Sequence, residues 1–327
     1  MGIIGADELR GANLGDQMVA VLGYGSQGRA QALNLADSGV QVVVGLRPGS
    51  ANAARVQRDG LRLAALDEAV EQADLVALLI PDEAQPEAYE QVVAPRLRQG
   101  GALVFAHGFN IHYRHIHPRA DLDALLVAPS GIGEQLRARY EAGNGIAGFV
   151  AVDQDATGQA RARALAFAKA LGHDRVAVIE TTFAEETETD LFAEQAVLVG
   201  GLSELIEAGF ETLVEAGYQP EIAYFSCLEE VKLMADMIHE RGLADMKRRI
   251  STTAAFGALL SGPRVIDRSS RAAMRELLAD IAAGRFAQAL SAEMAAGGPR
   301  LEAEAARARA HPLEAVRRRL RGSRPRE

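Results

Sequence analysis

The stretch Met18–Gly28, with the sequence MVAVLGYGSQG, decides the fold of this chain. Five apolar residues run directly into three glycines in the spacing Gly-x-Gly-x-x-Gly, and a helix-length segment follows. Glycines in this position allow a tight turn and let backbone N–H groups approach a pyrophosphate, to which the helix N-terminus adds a positive dipole end. A glycine-rich turn without a ligand is the alternative, but the strand-turn-helix context favours a dinucleotide site. The residues of this predicted site are Gly23, Tyr24, Gly25, Ser26, Gln27 and Gly28.

Apolar runs of strand length recur through the first half of the chain. They lie at residues 41–45, 75–80, 102–106 and 124–128, and two later runs at 146–152 and 176–179 would extend the same sheet. Strands separated by helix-length segments predict a parallel, doubly wound sheet of the Rossmann type. Beyond about residue 180 the apolar spacing becomes helical. We therefore predict an α/β N-terminal domain at residues 1–181 and an all-α C-terminal domain at residues 182–327.

The composition is that of a two-domain globular protein, with 327 residues of which 48% are hydrophobic. A net charge of −9 argues against nucleic acid and anionic membranes as partners. The arginine-rich segment 317–321 could be read as a nucleic-acid patch, but we interpret it as a solvated helix end. Cys227 is the single cysteine, and no segment reads as a signal peptide or reaches the roughly 18 apolar residues of a membrane span. We expect a cytoplasmic protein without an intrachain disulfide.

The end of the second strand predicts the type of dinucleotide. NAD-binding folds usually carry Asp or Glu there, to hold the ribose 2′-hydroxyl. This chain has Arg47 and Ser50 instead, and both can donate hydrogen bonds to a 2′-phosphate. We therefore predict NADPH; the alternative is that Arg47 is an ordinary surface arginine. Pro81 and Asp82 end the third long strand at the carboxyl edge, where backbone groups line cofactor crevices, although a plain turn explains Asp82 equally well.

Four longer motifs carry a family resemblance. They are GYGSQG (residues 23–28), AHGFN (106–110), EETETDLF (185–192) and YQPEIAYF (218–225), in that order. Together they resemble the short-chain (class I) ketol-acid reductoisomerases, and the similarity extends over nearly the whole chain. The resemblance implies a homodimer or larger assembly, in which the helical domains of two chains interlock and each active site draws on both chains.

The same resemblance implies the chemistry. In the family, an acetohydroxy acid undergoes an alkyl migration that needs two Mg²⁺ ions, and NADPH then reduces the rearranged 2-keto acid. Asp190 and Glu194 would be metal ligands from one helix, at the i,i+4 spacing that places two side chains on one face. Glu230 would be a ligand from a second helix, supplied by the partner subunit.

Further contacts follow from the resemblance. His107 would lie near the nicotinamide and the substrate, and Ser251 would contact the substrate from the partner subunit. Gly133 would contact the cofactor. Asn52 occupies a place in the cofactor loop where relatives often carry another serine, which softens the expected preference for NADPH.

The chain departs from the family pattern around the substrate and the metals. Ser226 replaces a ligand glutamate, so that three of four expected carboxylates remain, and Ser130 replaces a lysine. The segment STTAAFG (251–257) lacks the acidic residues expected at 252 and 255 and the tyrosine hydroxyl expected at 256. Glu229 should face elsewhere, because one residue is about 100° of rotation on an α-helix; the alternative is that Glu229 or water fills the gap. Smaller departures, each at a position where the family has histidine, are Arg29, Gln31 and Glu134.

These departures predict a broken two-metal site, with uncertain Mg²⁺ binding, and a preserved hydride-transfer site. Our first hypothesis is an NADPH-dependent reductase that acts on a C=O or C=N bond of a small molecule, in secondary metabolism. A genuine ketol-acid reductoisomerase of valine and isoleucine biosynthesis is the alternative. A third hypothesis is a non-catalytic NADPH-binding paralogue, against which the intact glycine loop and His107 argue.

Overall fold

A computed structural model describes residues 2–322 of the chain. The chain divides into two compact units between Thr189 and Asp190, which lie within one helix. The first unit holds a β-sheet covered by helices, and the second unit is helical. The predicted fold class is therefore confirmed.

Within residues 2–322 the first unit contains eight strands, which form one sheet in the order β3-β2-β1-β4-β5-β6-β7-β8. The order of the first six strands is that of a dinucleotide-binding fold, in which the strand order reverses between β1 and β4 although these two strands are parallel. The strands are Met18–Leu22 (β1), Gln41–Leu46 (β2), Arg62–Ala65 (β3), Leu75–Leu78 (β4), Ala102–Phe105 (β5), Asp123–Pro129 (β6), Gly148–Gln154 (β7) and Val178–Glu180 (β8).

One strand pair corrects the expectation of a wholly parallel sheet. β7 runs antiparallel to β6, and Gly148 at its start pairs with Pro129 at the end of β6. The helix in the connecting segment lies alongside the helix that follows β1, and the chain returns to the end of β6 before β7 begins. β7 therefore begins where β6 ends and must run the other way, whereas β8 returns parallel to β7.

The sheet is buried on both faces, and its side chains feed two apolar layers. Along β1, Val19 and Val21 enter one layer, while Ala20 and Leu22 enter the other. This alternation follows from the two-residue period of a strand, and burial on both faces explains the nearly continuous apolar runs.

Nine α-helices connect the strands within the described part of the first unit. They are Ala6–Gly11 (α1), Ser26–Asp37 (α2), Ala53–Arg58 (α3), Leu66–Glu71 (α4), Gln85–Ala88 (α5), Ala94–Arg96 (α6), Phe109–His112 (α7), Gly133–Glu141 (α8) and Ala160–Ala170 (α9). Two 3₁₀ turns, Asp82–Ala84 and His173–Arg175, and a π-helical turn, Tyr89–Val93, complete the unit.

Helix α10 (Phe183–Ala193) leads into the second unit and continues as a π-helical turn, Glu194–Leu198. A further π-helical turn, Phe225–Glu229, separates two of the later helices. The remaining helices are Gly200–Glu215 (α11), Pro220–Tyr224 (α12), Glu230–Arg249 (α13), Thr252–Val265 (α14), Arg268–Ala282 (α15), Arg285–Ala295 (α16), Pro299–Ala310 (α17) and Pro312–Gly322 (α18).

The second unit has a small apolar core in this single chain. Its main buried cluster consists of Phe210, Ala223, Tyr224, Leu313 and Val316. Helices α13 and α14 contain no buried residue at all, although both carry large apolar side chains. Within the single chain, Leu233 and Leu243 on α13 and Phe256, Leu259 and Leu260 on α14 are more than half exposed.

Candidate active site

The glycine loop between β1 and α2 adopts a conformation that glycine alone permits. Gly23 has φ +100°, and a Cβ there would lie 2.7 Å from the carbonyl oxygen of Leu79. A Cβ at Gly28 would lie 2.4 Å from the Gly23 carbonyl oxygen, so this glycine lets α2 pack closely on the loop. Gly25 precedes the first turn of α2, and open space surrounds its missing Cβ. A pyrophosphate can approach the free N–H groups of α2 through that space.

A second helix begins beside the first. Gly133 starts α8, and a Cβ there would lie 2.1 Å from the Ser26 carbonyl oxygen. Gln27 Nε2 donates a hydrogen bond to the Gly131 carbonyl oxygen at 2.9 Å, which fixes the loop before α8 to the glycine loop. The N-terminal ends of α2 and α8 therefore meet at one place.

A cleft of about 610 Å³ opens at this place. Five of the predicted cofactor residues line it, namely Tyr24, Gly25, Ser26, Asn52 and Gly133. The other lining residues are Arg29, Ala30, Arg55, Glu134, Arg137, Ala138 and Glu141. The donor set of backbone N–H groups and guanidinium groups suits a phosphorylated dinucleotide, so the chain fits the cofactor that its glycine loop predicts.

The other predicted cofactor residues lie outside the lining of the cleft. The part of the glycine loop that does not line the cleft consists of Gly23, Gln27 and Gly28. Arg47 is exposed, and the Ser50 hydroxyl accepts a hydrogen bond from the Asn52 backbone N–H at 3.3 Å.

Pro81 and Asp82 sit where a 3₁₀ turn begins after β4. The Asp82 side chain accepts a hydrogen bond from Gln85 Nε2, and its backbone carbonyl accepts one from Asn110 Nδ2. These contacts join the ends of β4 and β5.

An ionic network in the cleft was not predicted from the sequence. Arg29 donates two hydrogen bonds to Asp59, at 2.7 and 3.0 Å, and the Tyr24 hydroxyl donates a third at 2.8 Å. The hydrogen bonds from Arg29 lower the pKa of Asp59, while burial and the contact with Asp59 raise the pKa of Tyr24. Arg29 was noted as a departure from histidine, but no local motif links it to Asp59, thirty residues away.

His107 stands at the end of β5 against a buried carboxylate. Glu186 Oε1 lies 3.2 Å from His107 Nδ1, and Glu186 Oε2 accepts the Gly108 backbone N–H at 2.9 Å. A carboxylate beside Nδ1 favours the proton on that nitrogen and fixes the orientation of the ring. Sequence reasoning did not select Glu186, although the signal was present: it lies one helical turn before Asp190 in the EETETDLF motif.

Two of the three predicted metal ligands, Glu194 and Glu230, lie at transitions between helix types, and Asp190 lies within α10. A carboxylate oxygen of Glu186 and one of Asp190 lie within 4.8 Å of each other on α10, and Glu194 opens the π-helical turn that follows. Ser226 lies in the π-helical turn Phe225–Glu229, and Glu230 begins α13. Asp190 lies within the α-helical part of α10, and the π-helical turn begins only at Glu194, so the predicted i,i+4 spacing of this pair is α-helical up to its second member. Between Ser226 and Glu230, by contrast, the backbone has π-helical geometry. Such turns are rare in proteins and concentrate at functional sites.

Three other residues named with the family pattern have contacts of their own. Glu229 Oε1 accepts a hydrogen bond from the Tyr224 hydroxyl at 2.9 Å, so this carboxylate already has a partner in its own chain. Ser251 is the N-cap of α14, where its hydroxyl accepts the Ala254 backbone N–H at 3.1 Å. The backbone N–H of Ser130 donates to the Ala147 carbonyl oxygen between β6 and β7.

Comparison with known proteins decides the family. Residues 13–177 match the model for the acetohydroxy acid isomeroreductase NADPH-binding domain, and residues 183–326 match the model for the ketol-acid reductoisomerase C-terminal domain. The chain belongs to the ketol-acid reductoisomerase family. It is 40% identical, over 100% of both chains and with a TM-score of 0.94, to an NADH-preferring ketol-acid reductoisomerase from an uncultured archean. The first domain of this family member is thus an NADPH-binding domain, and the chain is an oxidoreductase by family.

More distant structures share only the fold. A putative oxidoreductase from Jannaschia sp. CCS1 is 18% identical, with a TM-score of 0.61 over 83% of this chain and 98% of that chain. A pyrroline carboxylate reductase from Plasmodium falciparum is 14% identical, with a TM-score of 0.52 over 83% and 98%. In the described part of this family member, no helix combines the length and the apolar character that crossing a bilayer requires.

Proposed function

We propose that this family member is an NADPH-dependent reductase that has lost the Mg²⁺-dependent alkyl migration. Its substrate would be a small molecule with a C=O or C=N bond, in a pathway of secondary metabolism in the cytoplasm. The observation that carries the proposal is Ser226, at a position where the family pattern has a ligand carboxylate.

The metal region supports the proposal through charge. Two Mg²⁺ ions held close together need several carboxylates, because hard cations prefer charged oxygen ligands. Asp190, Glu194 and Glu230 would still offer such oxygens, but the Ser226 hydroxyl is neutral. The Tyr224 hydroxyl donates to Glu229 Oε1 and orients this carboxylate but leaves Oε2 as an acceptor, so the proposal rests on the charge lost at Ser226. When bound, Mg²⁺ would polarise substrate oxygens; with fewer charges to hold two ions, we expect that contribution to be weak.

The reductase half of the site is intact in its chemistry. Bound NADPH supplies the hydride for a carbonyl or imine carbon. The glycine loop binds the pyrophosphate, and the His107–Glu186 pair holds an imidazole in a fixed orientation near the end of β5. A positioned imidazole can deliver or orient the proton that balances hydride addition.

We also propose that the active site is shared between two chains of a homodimer. Helix α13 begins with Glu230, and Ser251 is the N-cap of α14. Neither helix has a buried residue in the single chain. A second chain that covers these helices would remove their apolar side chains from water. In such a dimer, Glu230 and Ser251 of one chain would lie against the cofactor domain of the other.

Measuring NADPH oxidation tests the proposed function. The purified protein is assayed with 2-acetolactate and with a panel of keto acids and cyclic imines, each with and without Mg²⁺. We expect no useful turnover of 2-acetolactate, and reduction of at least one other compound without an absolute Mg²⁺ requirement. Robust Mg²⁺-dependent turnover of 2-acetolactate would refute the proposal.

A matched pair of variants examines the role of the missing ligand. The double variant Ser226→Glu, Ser130→Lys restores the charges of the family pattern, and we expect it to gain Mg²⁺-dependent turnover of 2-acetolactate. Ser203→Glu, which adds one acid at an exposed position of α11, controls for added charge in the same unit.

A genuine reductoisomerase is the second candidate function. The 40% identity over the full length of an archaeal reductoisomerase favours it, together with the retained Asp190, Glu194 and Glu230. The same assay separates the two, because only this alternative turns over 2-acetolactate with Mg²⁺. Binding of NADPH without turnover of any compound would favour the non-catalytic paralogue instead.

A further inference from the structure

The positive charge in the cofactor cleft is largely cancelled by carboxylates of the chain itself. Three arginines line the cleft. Arg29 is bound to Asp59 through two hydrogen bonds, and Arg137 forms ion pairs with Asp37 at 2.7 Å and with Glu141 at 2.9 Å. An anionic ligand would have to compete with these carboxylates for either arginine.

Arg55 is different, because no described carboxylate lies within 4 Å of its guanidinium group, and only a longer-range attraction links it to Asp59. The cleft therefore offers one arginine whose charge is not already neutralised. A guanidinium group without a partner binds a phosphate without first giving up an ion pair, so its net gain is the largest of the three.

The position of Arg55 in the fold fits one part of the cofactor. Helix α3 follows the end of β2, where this fold places the ribose 2′-position of the adenosine half. Arg55 follows Asn52 by three residues, a spacing that puts neighbours on the same side of a helical turn, and both residues line the cleft. Val56 is fully buried, so the short helix that carries Arg55 is anchored in the apolar core.

We infer that Arg55 binds the 2′-phosphate of NADPH and is a determinant of NADPH preference, in addition to Arg47 and Ser50. The inference rests on the NADPH use stated under the proposed function and adds the residue that reads the distinguishing phosphate. Family membership does not fix this preference, since the archaeal relative is described as NADH-preferring. The decision must then lie in side chains near the end of β2.

Arg55→Ala in the full-length protein tests this. Arg58→Ala is the matched control, because Arg58 is exposed on the same helix, carries the same charge and does not line the cleft. Dissociation constants for NADPH and NADH are measured by titration without substrate or Mg²⁺. We expect Arg55→Ala to weaken NADPH about tenfold, the effect of losing one charged hydrogen-bonding partner, and to leave NADH within about twofold. Arg58→Ala should change neither, and Arg55→Lys should recover part of the NADPH affinity.

Fragments locate the effect on the phosphate itself. Adenosine 2′,5′-bisphosphate should bind more weakly to Arg55→Ala than to the wild-type protein, whereas adenosine 5′-monophosphate should bind equally to both. If Arg55→Ala lost equal affinity for NADPH and NADH, or lost no affinity for either, the proposed role of Arg55 would be overturned. The proposed NADPH dependence would still stand. Wild-type protein that binds NADH as tightly as NADPH would overturn both the inference and the proposed NADPH dependence. Failure to find a reducible substrate leaves these binding measurements unaffected.

Discussion

Glu186 holds two neighbours of the reaction site at once. Its side chain is 5% exposed, accepts the Gly108 backbone N–H and lies against His107 Nδ1. Because Glu186 lies on α10, the position of α10 determines how the imidazole ring of His107 is oriented. In the proposed reductase, Glu186 would therefore be a positioning residue that acts on the reaction through His107.

Glu186→Gln should slow substrate reduction by about 10- to 100-fold, the usual cost of losing a partner that orients a functional histidine. The glutamine N–H group would face either His107 Nδ1–H or the Gly108 backbone N–H. Two donors would then meet, and one of the two hydrogen bonds of Glu186 would be lost. Single-turnover NADPH oxidation, with the compound that the wild-type protein reduces fastest, measures the effect. NADPH affinity should stay unchanged.

Glu185→Gln is the control, since Glu185 is exposed on the same helix and neighbours Glu186 in sequence. A similar loss of rate in both variants would mean that charge near α10, rather than orientation of His107, accounts for the effect.

His173 gives the first unit a dependence on pH. Its ring is fully buried; Nδ1 donates to the Ile146 carbonyl oxygen at 2.8 Å, and Nε2 has no hydrogen-bond partner among the described residues. Burial lowers the pKa of His173 to about 4. In the unfolded chain the ring titrates near pH ~6.5. The stabilisation that comes from burying the neutral ring is complete above that pH and is lost as the pH falls towards 4.

Denaturant unfolding of wild-type protein and His173→Asn measures this loss. The asparagine amide can still donate to Ile146 but does not titrate. As the pH falls from about 7 to about 4, the wild-type protein should lose up to about 3 kcal/mol of unfolding free energy relative to the variant. His117→Asn, at an exposed position, should follow the wild-type curve. A constant difference between wild type and His173→Asn across this range would contradict the prediction.

Sequence patterns found the glycine loop because its residues are local and their spacing is set by one turn. They did not find the Arg29–Asp59 pair or the Glu186–His107 pair. Each of these pairs joins residues far apart in sequence, and a single chain carries no periodic signal for such a contact. Arg55 carries no sequence signal for another reason: its proposed role depends on which neighbouring arginines are already paired with carboxylates.

At the level of secondary structure, the two glycines at the start of α2 and α8 have different roles. Gly133 permits the two helices to touch, because a Cβ there would lie 2.1 Å from the Ser26 carbonyl oxygen. Gly25 faces open space and permits the ligand to approach. One glycine thus serves the protein without ligand, and the other serves the complex.

Gly133→Ala should lower the unfolding free energy by about 1–3 kcal/mol, since the contact between α2 and α8 must open. Gly25→Ala should cost less than about 1 kcal/mol, as expected for an N-cap position. Gly25→Ala should weaken the binding of NADPH and of NADH alike, by about tenfold or more. The added methyl group would occupy the space through which the pyrophosphate approaches. Thermal unfolding and dinucleotide titration on both variants separate the effects. Strong destabilisation by Gly25→Ala, or unchanged binding, would contradict this division of roles.

The strands show what an apolar pattern does and does not encode. The runs at β1, β2 and β5 were predicted because buried parallel strands are almost wholly apolar. The edge strand β3, Arg62–Ala65, was missed because it is short and only partly buried. The direction of β7 was not predictable, since an apolar run reads the same for either direction and the reversal depends on where α8 lies. The π-helical turns were missed because neighbouring α-helical residues give the same local composition.

At the scale of the whole molecule, the exposed apolar side chains of the second unit favour the proposed homodimer. On α14, Phe256, Leu259 and Leu260 are 60%, 69% and 57% exposed. Exposed apolar side chains that share one helix face are typical of a protein–protein interface, which supports the proposal. We expect light scattering at micromolar concentration to give a dimer or a larger assembly. Leu259→Asp with Leu260→Asp should lower the molar mass, whereas Val176→Asp, at an exposed apolar residue of the first unit, should leave it unchanged. A well-folded wild-type monomer would remove the dimer from the proposal.

Sharing of active sites between chains can be tested by mixing two impaired variants. Gly25→Ala impairs the cofactor domain when NADPH is kept well below the weakened dissociation constant of this variant, and Glu230→Arg places a large opposite charge at the exposed start of α13. If each site takes its cofactor domain from one chain and its α13 from the other, a mixed dimer has one site with both defects and one intact site.

Random mixing makes half of the dimers mixed, so about a quarter of the wild-type activity should return. Activity is NADPH oxidation with the best substrate of the wild-type protein, measured after the two variants are produced together. Gly25→Ala combined with Glu186→Gln, both in the first unit, should restore nothing, because both defects then fall on cofactor domains and no site in the mixed dimer is intact. No recovery in the first mixture, with dimers present, would place each site within a single chain and limit the role of the interface to covering α13 and α14.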